Sequence, residues 1–404
     1  MRNSLVLTLG IAVLFGCEQS VETPKTDPLE PSASPPPQTQ AAPPSRYSEE
    51  DKLIGLPPVP IPENNPQTPA KIALGDKLFH DKRFSIDGTV SCANCHDDGK
   101  AFTDNLPVSV GHSGKTGTRN APTVLNAAFY HSQFWDGREP DLESQAKQPF
   151  INPVEHGLPN HDPILDIVRS DPDYQQSFQE VFEVTGDALT IDHVVQAIAS
   201  FERTLVTGNS PFDRFYFKGE TDAMTDAQIR GFNLFIGQGR CVSCHVIEQD
   251  NATFTDSRFH NIGIGIDSIE SDIPTLTQAF LEAKNQDKDV DIMVLTDPKS
   301  SELGRFAVTD ELNKIGAFKT PTLRNVELTA PYMHDGSLKT LREVIVHYNN
   351  GGVAEASARV NDFLSGGIRP LNLTGTQIDD LVEFMKALTS PKKPAETESA
   401  QAVN

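Results

Sequence analysis

Several things are scarce in this chain. Among 404 residues there is one tryptophan, Trp135, and only five cysteines. Four of the cysteines fall in two short repeats and the fifth, Cys17, stands near the start, so no thiol is left for a disulfide framework. The longest apolar run near the start falls short of the roughly 20 residues a membrane-spanning helix needs. Positive charge is also short: 34 Lys and Arg face 56 Asp and Glu, a net charge of −22. Such a balance argues against nucleic acid as a partner and suits a positively charged protein drawn in by electrostatic steering. Long strand patterns are absent. Apolar residues instead recur at helical spacing, as in Val194, Ile198, Phe201 and Leu205, or Ile378, Leu381, Val382, Met385 and Leu388. A mostly α fold follows, with little β structure.

What is present is one motif used twice, Cys92-Ala-Asn-Cys95-His96 and Cys241-Val-Ser-Cys244-His245. C-x-x-C-H is the attachment pattern of c-type haem: two thiols add to the two vinyl groups of one porphyrin, and the next histidine reaches the iron. A structural zinc site also uses C-x-x-C pairs, but it does not need a histidine directly after each. Two covalent haems are the reading, with His96 and His245 as axial ligands.

The motifs belong to a tandem duplication. Gly75-x-x-Leu78-Phe79 precedes the first and Gly231-x-x-Leu234-Phe235 the second, each placing three residues on one helical face. Phe102-Thr103-Asp104 is answered by Phe254-Thr255-Asp256, Pro122-Thr123 by Pro321-Thr322, and Asp136-Gly137 by Asp335-Gly336. Thr225 and Gln228 form a capping box ahead of the second helix. Two homologous haem domains are expected, 51–215 and 216–390, the second carrying an insertion at about 257–316. That insertion is acidic around Asp267–Asp291 and reads as surface structure.

Residues 1–17 read as an export signal: Arg2, then an apolar run from Leu5 to Phe15, then Leu14-Phe15-Gly16-Cys17, which resembles a bacterial lipobox with Cys17 as the lipidated residue. Ordinary cleavage without a lipid is the alternative. Either way the mature protein is expected in the periplasm, and the lipobox reading with Glu18 next favours an outer-membrane anchor. Residues 18–50 are rich in Pro, Ser, Thr, Gln and Ala and read as a disordered tether, and 391–404 as a disordered tail.

Together, both C-x-x-C-H motifs, Gly111-His112, Arg119-Asn120-Ala121-Pro122-Thr123, Phe134-Trp135-Asp136-Gly137-Arg138, Gln145, Asn152-Pro153-Val154-Glu155 and Pro331-Tyr332-Met333-His334-Asp335-Gly336 resemble the bacterial di-haem cytochrome c peroxidase and MauG-like family over roughly residues 50–390. The resemblance implies two tandem cytochrome c-like domains. It makes the His96 haem peroxidatic, with Glu155 as proton shuttle and Gln145 and Phe134 shaping the pocket. It makes Trp135 an electron relay between the haems. Where the peroxidases have a methionine ligand to the second haem, this chain has Tyr348, the residue type of the MauG-like members; Met333 is the rival ligand. His112 stands where peroxidases carry a movable histidine that blocks the first haem at rest. A calcium ion is implied at Asn120, Thr329 and Pro331, with oxygen donors suited to it.

The function expected is reduction of hydrogen peroxide to water with electrons from a small redox protein, a cytochrome c or a cupredoxin. A MauG-like oxidation of a partner protein is the alternative within the family, and a plain electron-transfer cytochrome the alternative from another class. The resemblance also admits a homodimer, and the membrane enters only through the lipid anchor.

Overall fold

The computed structural model describes residues 53–286, 288, 290–353 and 361–391. The segments read as an export signal with Cys17 and as a tether lie outside the described residues, as does all but the first residue of the segment 391–404 read as a tail. Among the described residues the regular structure is helical apart from isolated bridges and one two-stranded antiparallel sheet, β1 (Phe259–His260) against β2 (Phe318–Lys319). No helix among the described residues is long and apolar enough to cross a membrane.

The first half comprises α1 (Pro69–Phe79), α2 (Cys92–Cys95), α3 (Leu142–Ile151), α4 (Asp162–Ser170), α5 (Pro172–Phe182) and α6 (Ile191–Glu202). The second opens with α7 (Pro211–Lys218) and α8 (Asp226–Ile236) and closes with α13 (Leu341–Asn349) and α14 (Gly375–Lys386). Starts are chemically marked. Thr68 accepts from the Lys71 amide just before Pro69, and Thr225–Gln228 and Thr374–Gln377 form capping boxes that satisfy otherwise orphaned amides.

Each half buries its own apolar core. In the first, Leu78, Phe79, Phe150, Phe178 and Ile198 are almost wholly covered; in the second, Phe212, Phe235, Leu381 and Phe384 are. A fully covered side chain of this size contributes about 1.5–3 kcal/mol. The duplicated glycine explains how the paired helices come so close. A Cβ on Gly75 would lie 1.9 Å from the Ala197 carbonyl oxygen of α6, and one on Gly231 would lie 2.0 Å from the Asp380 carbonyl oxygen of α14. The phenylalanine of each repeat then meets an aromatic ring of the partner helix: Phe79 on Phe201 at 5.3 Å, Phe235 on Phe384 at 5.1 Å.

The insertion differs from the surface segment its composition suggested. It folds as α9 (Ile273–Asn285), α10 (Val290–Thr296), α11 (Pro298–Ser301) and α12 (Phe306–Thr309). Ile266, Ile269, Phe280, Leu303, Phe306 and Ile315 form a third core beneath them. The apolar residues are few but spaced to fall on inward faces, which a mean over the segment hides.

One buried ion pair ties distant parts together. Arg324 is 1% exposed and donates to both Asp213 carboxylate oxygens at 2.8 Å, to the Ala252 carbonyl at 2.7 Å and to the Gly55 carbonyl at 2.6 Å. Every buried donor finding an acceptor is what makes such a charge tolerable.

Candidate active site

Each C-x-x-C-H segment closes on its histidine in the same way. The His96 Nδ1–H donates to the Phe102 carbonyl at 3.2 Å, and the His245 Nδ1–H to the Phe254 carbonyl at 2.9 Å. Phe102 and Phe254 both hold positive φ, 55° and 53°, which bends the chain to bring the carbonyl round. With Nδ1 engaged, Nε2 is the nitrogen left to ligate, and burial keeps both rings neutral, as a metal ligand must be. Phe79 and Phe235 lie 6.4 and 6.5 Å from their histidines. The four cysteines are partly covered and none is in a disulfide. Two vicinal thiols with a neutral, oriented imidazole beside them fit covalent haem, where the sulfurs stand as thioethers and no longer titrate.

Different groups face the two cysteine pairs. Glu155 follows α3 in a turn held by Asn152, whose Oδ1 accepts from the Val154 amide at 3.0 Å and whose Nδ2 donates to Glu155 Oε1 at 2.6 Å. Burial raises the Glu155 carboxyl above its ordinary range, against the pull of Arg138 and the Asn152 hydrogen bond. After burial itself, the Glu155 carboxylate is the largest influence raising the Cys95 thiol, whereas for Cys92 the largest is the buried Glu202 and Glu155 contributes least of those acting on it. The carboxyl therefore lies on the side of the first attachment site. Gln145 sits partly covered on α3, the helix that leads into this turn.

Phe134 adopts φ 65° and carries the Arg138 guanidinium over its ring at 3.5 Å. Arg138 and Arg119 both engage the buried Asp136 carboxylate, at 3.1 and 2.6 Å, and burial notwithstanding they hold it well below the usual carboxylate range. Arg138 thus links Phe134, Asp136 and Glu155. Sequence reasoning placed it in a motif but assigned it nothing.

His112 is 7% exposed and packed onto the same turn: its amide donates to the Glu155 carbonyl at 2.8 Å. Gly111 and Gly157 make the room, since a Cβ on the first would lie 2.0 Å from the Val154 carbonyl and one on the second 2.5 Å from His112 Nε2. Nε2 lies 3.1 Å from both the Pro153 carbonyl and Lys115 Nζ, and the buried Nδ1 has no partner.

At the second attachment site the corresponding group is Tyr348, on α13. Burial first, then the charges of Cys241 and Cys244, raise its phenol far above the ordinary value. The hydroxyl and those two sulfurs therefore share one environment. Met333 holds φ 77° in a separate turn, at the position that Phe134 occupies in the first half. His260 donates to Asp256 at 2.8 Å and groups with Cys244. With Cys244 as a thioether this trio belongs to the second attachment site and is not a separate metal centre.

Trp135 touches residues of both halves. Its indole N–H donates to the Asn120 carbonyl at 2.9 Å, and its ring meets His334 edge-on at 6.4 Å. Asn120 Nδ2 donates to the Leu106 carbonyl at 2.8 Å, which leaves Oδ1 as its donor oxygen to a cation. The Thr329–Pro331 segment is drawn in by Asn105, whose Nδ2 donates to the Leu328 and Ala330 carbonyls at 3.1 and 3.0 Å. An amide oxygen and two backbone carbonyls suit a hard cation such as calcium.

Two C-x-x-C-H sites in paired helical cores, one beside a carboxyl and one beside a phenol, define a di-haem c-type redox enzyme. The comparisons carry this to a family. A family model described as di-haem cytochrome c peroxidase matches residues 69–222. The cytochrome-c peroxidase IdrP1 of Pseudomonas sp. (strain SCT) is 34% identical over 345 residues, covering 83% of this chain and 85% of that protein. The methylamine utilization protein MauG of Methylorubrum extorquens is 36% identical over 332 residues, 82% of this chain and 81% of that one. A solved MauG-like protein associated with microbial copper homeostasis superimposes with TM-score 0.67 at 31% identity, over 83% of this chain and 94% of that one. The chain belongs to the di-haem cytochrome c peroxidase and MauG family, and with it come two c-type haems and a peroxidase-type oxidoreductase activity.

Proposed function

We propose that this protein is a periplasmic peroxidase that reduces hydrogen peroxide to water with electrons from a small redox protein, a cytochrome c or a cupredoxin. What supports the reading is an asymmetry: the buried Glu155 carboxyl acts on Cys95 of the first motif, while the buried Tyr348 phenol is acted on by Cys241 and Cys244 of the second. When bound, the first haem supplies an iron that takes one peroxide oxygen. Glu155 accepts the proton from that oxygen and returns it to the departing one, a role that its raised pKa suits near neutral pH. Asn152 orients the carboxyl, while Gln145 and Phe134 bound the pocket. Two electrons and two protons complete the conversion to two waters, and Trp135 passes the electrons from the second site to the first.

In the same reading Tyr348 would help His245 hold the second haem, His112 would close the first site at rest, and Asn120, Thr329 and Pro331 would supply oxygens to a calcium ion. The halves act as two haem domains, as the 51–215 and 216–390 division expected, with the boundary moved ahead of α7, whose Phe212 packs in the second core. Cys17 anchors the protein to the outer membrane and the 18–50 tether holds it clear. Two copies pair as a homodimer.

Tyr348 favours a second reading, oxidation of a partner protein by peroxide, because a phenolate stabilises oxidised iron where a thioether favours reduced iron. Low-temperature electron paramagnetic resonance of the oxidised protein separates the parts: it shows whether His112 and Tyr348 ligate. Steady-state turnover with reduced cytochromes, set against peroxide-dependent modification of a co-purified protein, chooses between the readings.

A further inference from the structure

The insertion grips the region of Trp135 from several directions. Thr118 donates to the Val294 carbonyl at 3.0 Å, and Arg119 donates to the Ser301 hydroxyl at 3.0 Å and to the Ser301 carbonyl at 2.9 Å. From the insertion, Arg305 donates back to the carbonyls of Asp136 and Gly137 at 2.8 and 2.7 Å while lying over the Phe259 ring. The turn that carries Trp135 is thereby held on both sides by residues 294–305.

Glu302 is the charged centre of this grip. It is 8% exposed, and its Oε2 accepts from Nε2–H of His334, itself 3% exposed, at 2.8 Å. The His334 ring is stacked on Phe318 at 3.6 Å and turned edge-on to Trp135, so packing on two sides holds its orientation. A place is kept for the carboxylate: a Cβ on Gly265, at φ 74°, would lie 1.8 Å from Glu302 Oε2. Burying a carboxylate is costly unless it is paired, and an apolar residue would fill the space more cheaply. A carboxylate behind the ring that touches an electron relay has a use an apolar residue lacks. It stabilises positive charge on the indole while an electron is in transit.

We propose that Glu302, acting through His334, is a positioning residue for electron transfer through Trp135, and that the insertion exists to hold it there. The inference rests on the relay reading of Trp135. Trp135 gives one electron toward the first site and takes one from the second, so no charge is left behind. The Glu302 carboxylate eases the intermediate state, opposing the nearby cations of Arg305 and Arg119.

The test uses the full di-haem protein. The second haem is reduced, one equivalent of hydrogen peroxide is mixed in to oxidise the first site, and arrival of the electron there is followed by the return of its resting absorbance. Glu302→Gln keeps an acceptor of the same shape but removes the charge, and transfer is expected to slow about tenfold, the effect of one unit charge across a partly buried distance. Glu302→Asp restores most of the rate. Gly265→Ala, which displaces the carboxylate without replacing it, slows transfer as Glu302→Gln does and serves if that variant fails to fold. In a Trp135→Phe background Glu302→Gln adds no further slowing. Wild-type transfer in Glu302→Gln, or an equal slowing with and without Trp135, overturns the proposal. Wild-type transfer in Trp135→Phe alone instead overturns the relay reading beneath it.

Discussion

Trp135 and His334 occupy equivalent positions in the two halves, and they touch, ring edge to ring face with centroids 6.4 Å apart. Their backbones are cross-connected in the same reciprocal way. The Asn120 amide donates to the His334 carbonyl at 2.7 Å, and the amide of its counterpart, Lys319, donates to the Trp135 carbonyl at 2.7 Å. The duplication therefore meets itself across a local two-fold relation at the point where electrons would cross. Different side chains break the symmetry there: an oxidisable indole on one side, an imidazole held by Glu302 on the other.

Replacing Glu155 with Gln keeps the hydrogen-bonding shape and removes the proton shuttle. Peroxide turnover should fall by about 10²–10⁴ while both haems stay attached and the resting spectrum is unchanged. The pH profile carries a sign. Burial raises the Glu155 pKa, so the basic form is lost as pH falls through a value above the ordinary carboxylate range, and turnover falls with it. Arg138→Met removes the cation that opposes this rise, and the acid limb should move to higher pH. An acid limb that stays in place would separate Arg138 from the shuttle.

Tyr348→Met exchanges a phenol oxygen for a thioether in the surroundings of Cys241 and Cys244. The reduction potential of the second haem should rise, and that of the first should stay nearly fixed. Spectroelectrochemical titration of the two haems checks both halves of this statement. An unmoved second potential would exclude Tyr348 as its ligand.

Gly75→Ala and Gly231→Ala each drive a methyl group into a backbone carbonyl of the facing helix. The overpacking costs about 1–3 kcal/mol, of which alanine's higher helix propensity gives back about 1 kcal/mol, so each variant should be destabilised on balance. Denaturant melts of the single variants measure it. A stability equal to wild type would mean that the helices can move apart at no cost.

Lys319 is buried, donates to the Ser132 carbonyl at 2.7 Å and lies 3.8 Å from the centroid of the Tyr130 ring. Burial lowers its pKa to about 7, with Asp136 opposing. Between that value and the ordinary 10.5 the unfolded chain binds the proton and the folded chain does not, so this group makes stability rise with pH across the window. Below about 7 the folded amine also takes up its proton and the slope ends. Lys319→Met should flatten that part of the profile of urea midpoint against pH.

Much of this enzyme was legible in the residues alone because the signals are local or covalent. Haem attachment needs its three residues in one short span, and helix starts at Thr68, Thr225 and Thr374 are set by side chains that reach their own backbone. The duplication told which positions correspond, though not that Gly75 and Gly231 repeat because two helices nearly touch there. A segment mean made 257–316 look like surface, since its few apolar residues gather into a core only when folded. Tertiary structure alone decided the rest. Glu302 and His334 are 32 residues apart, Arg324 and Asp213 are 111, and Arg305 and Asp136 are 169. No local spacing encodes such pairs; they exist because packing brings the groups together and burial then obliges each charge to find its partner.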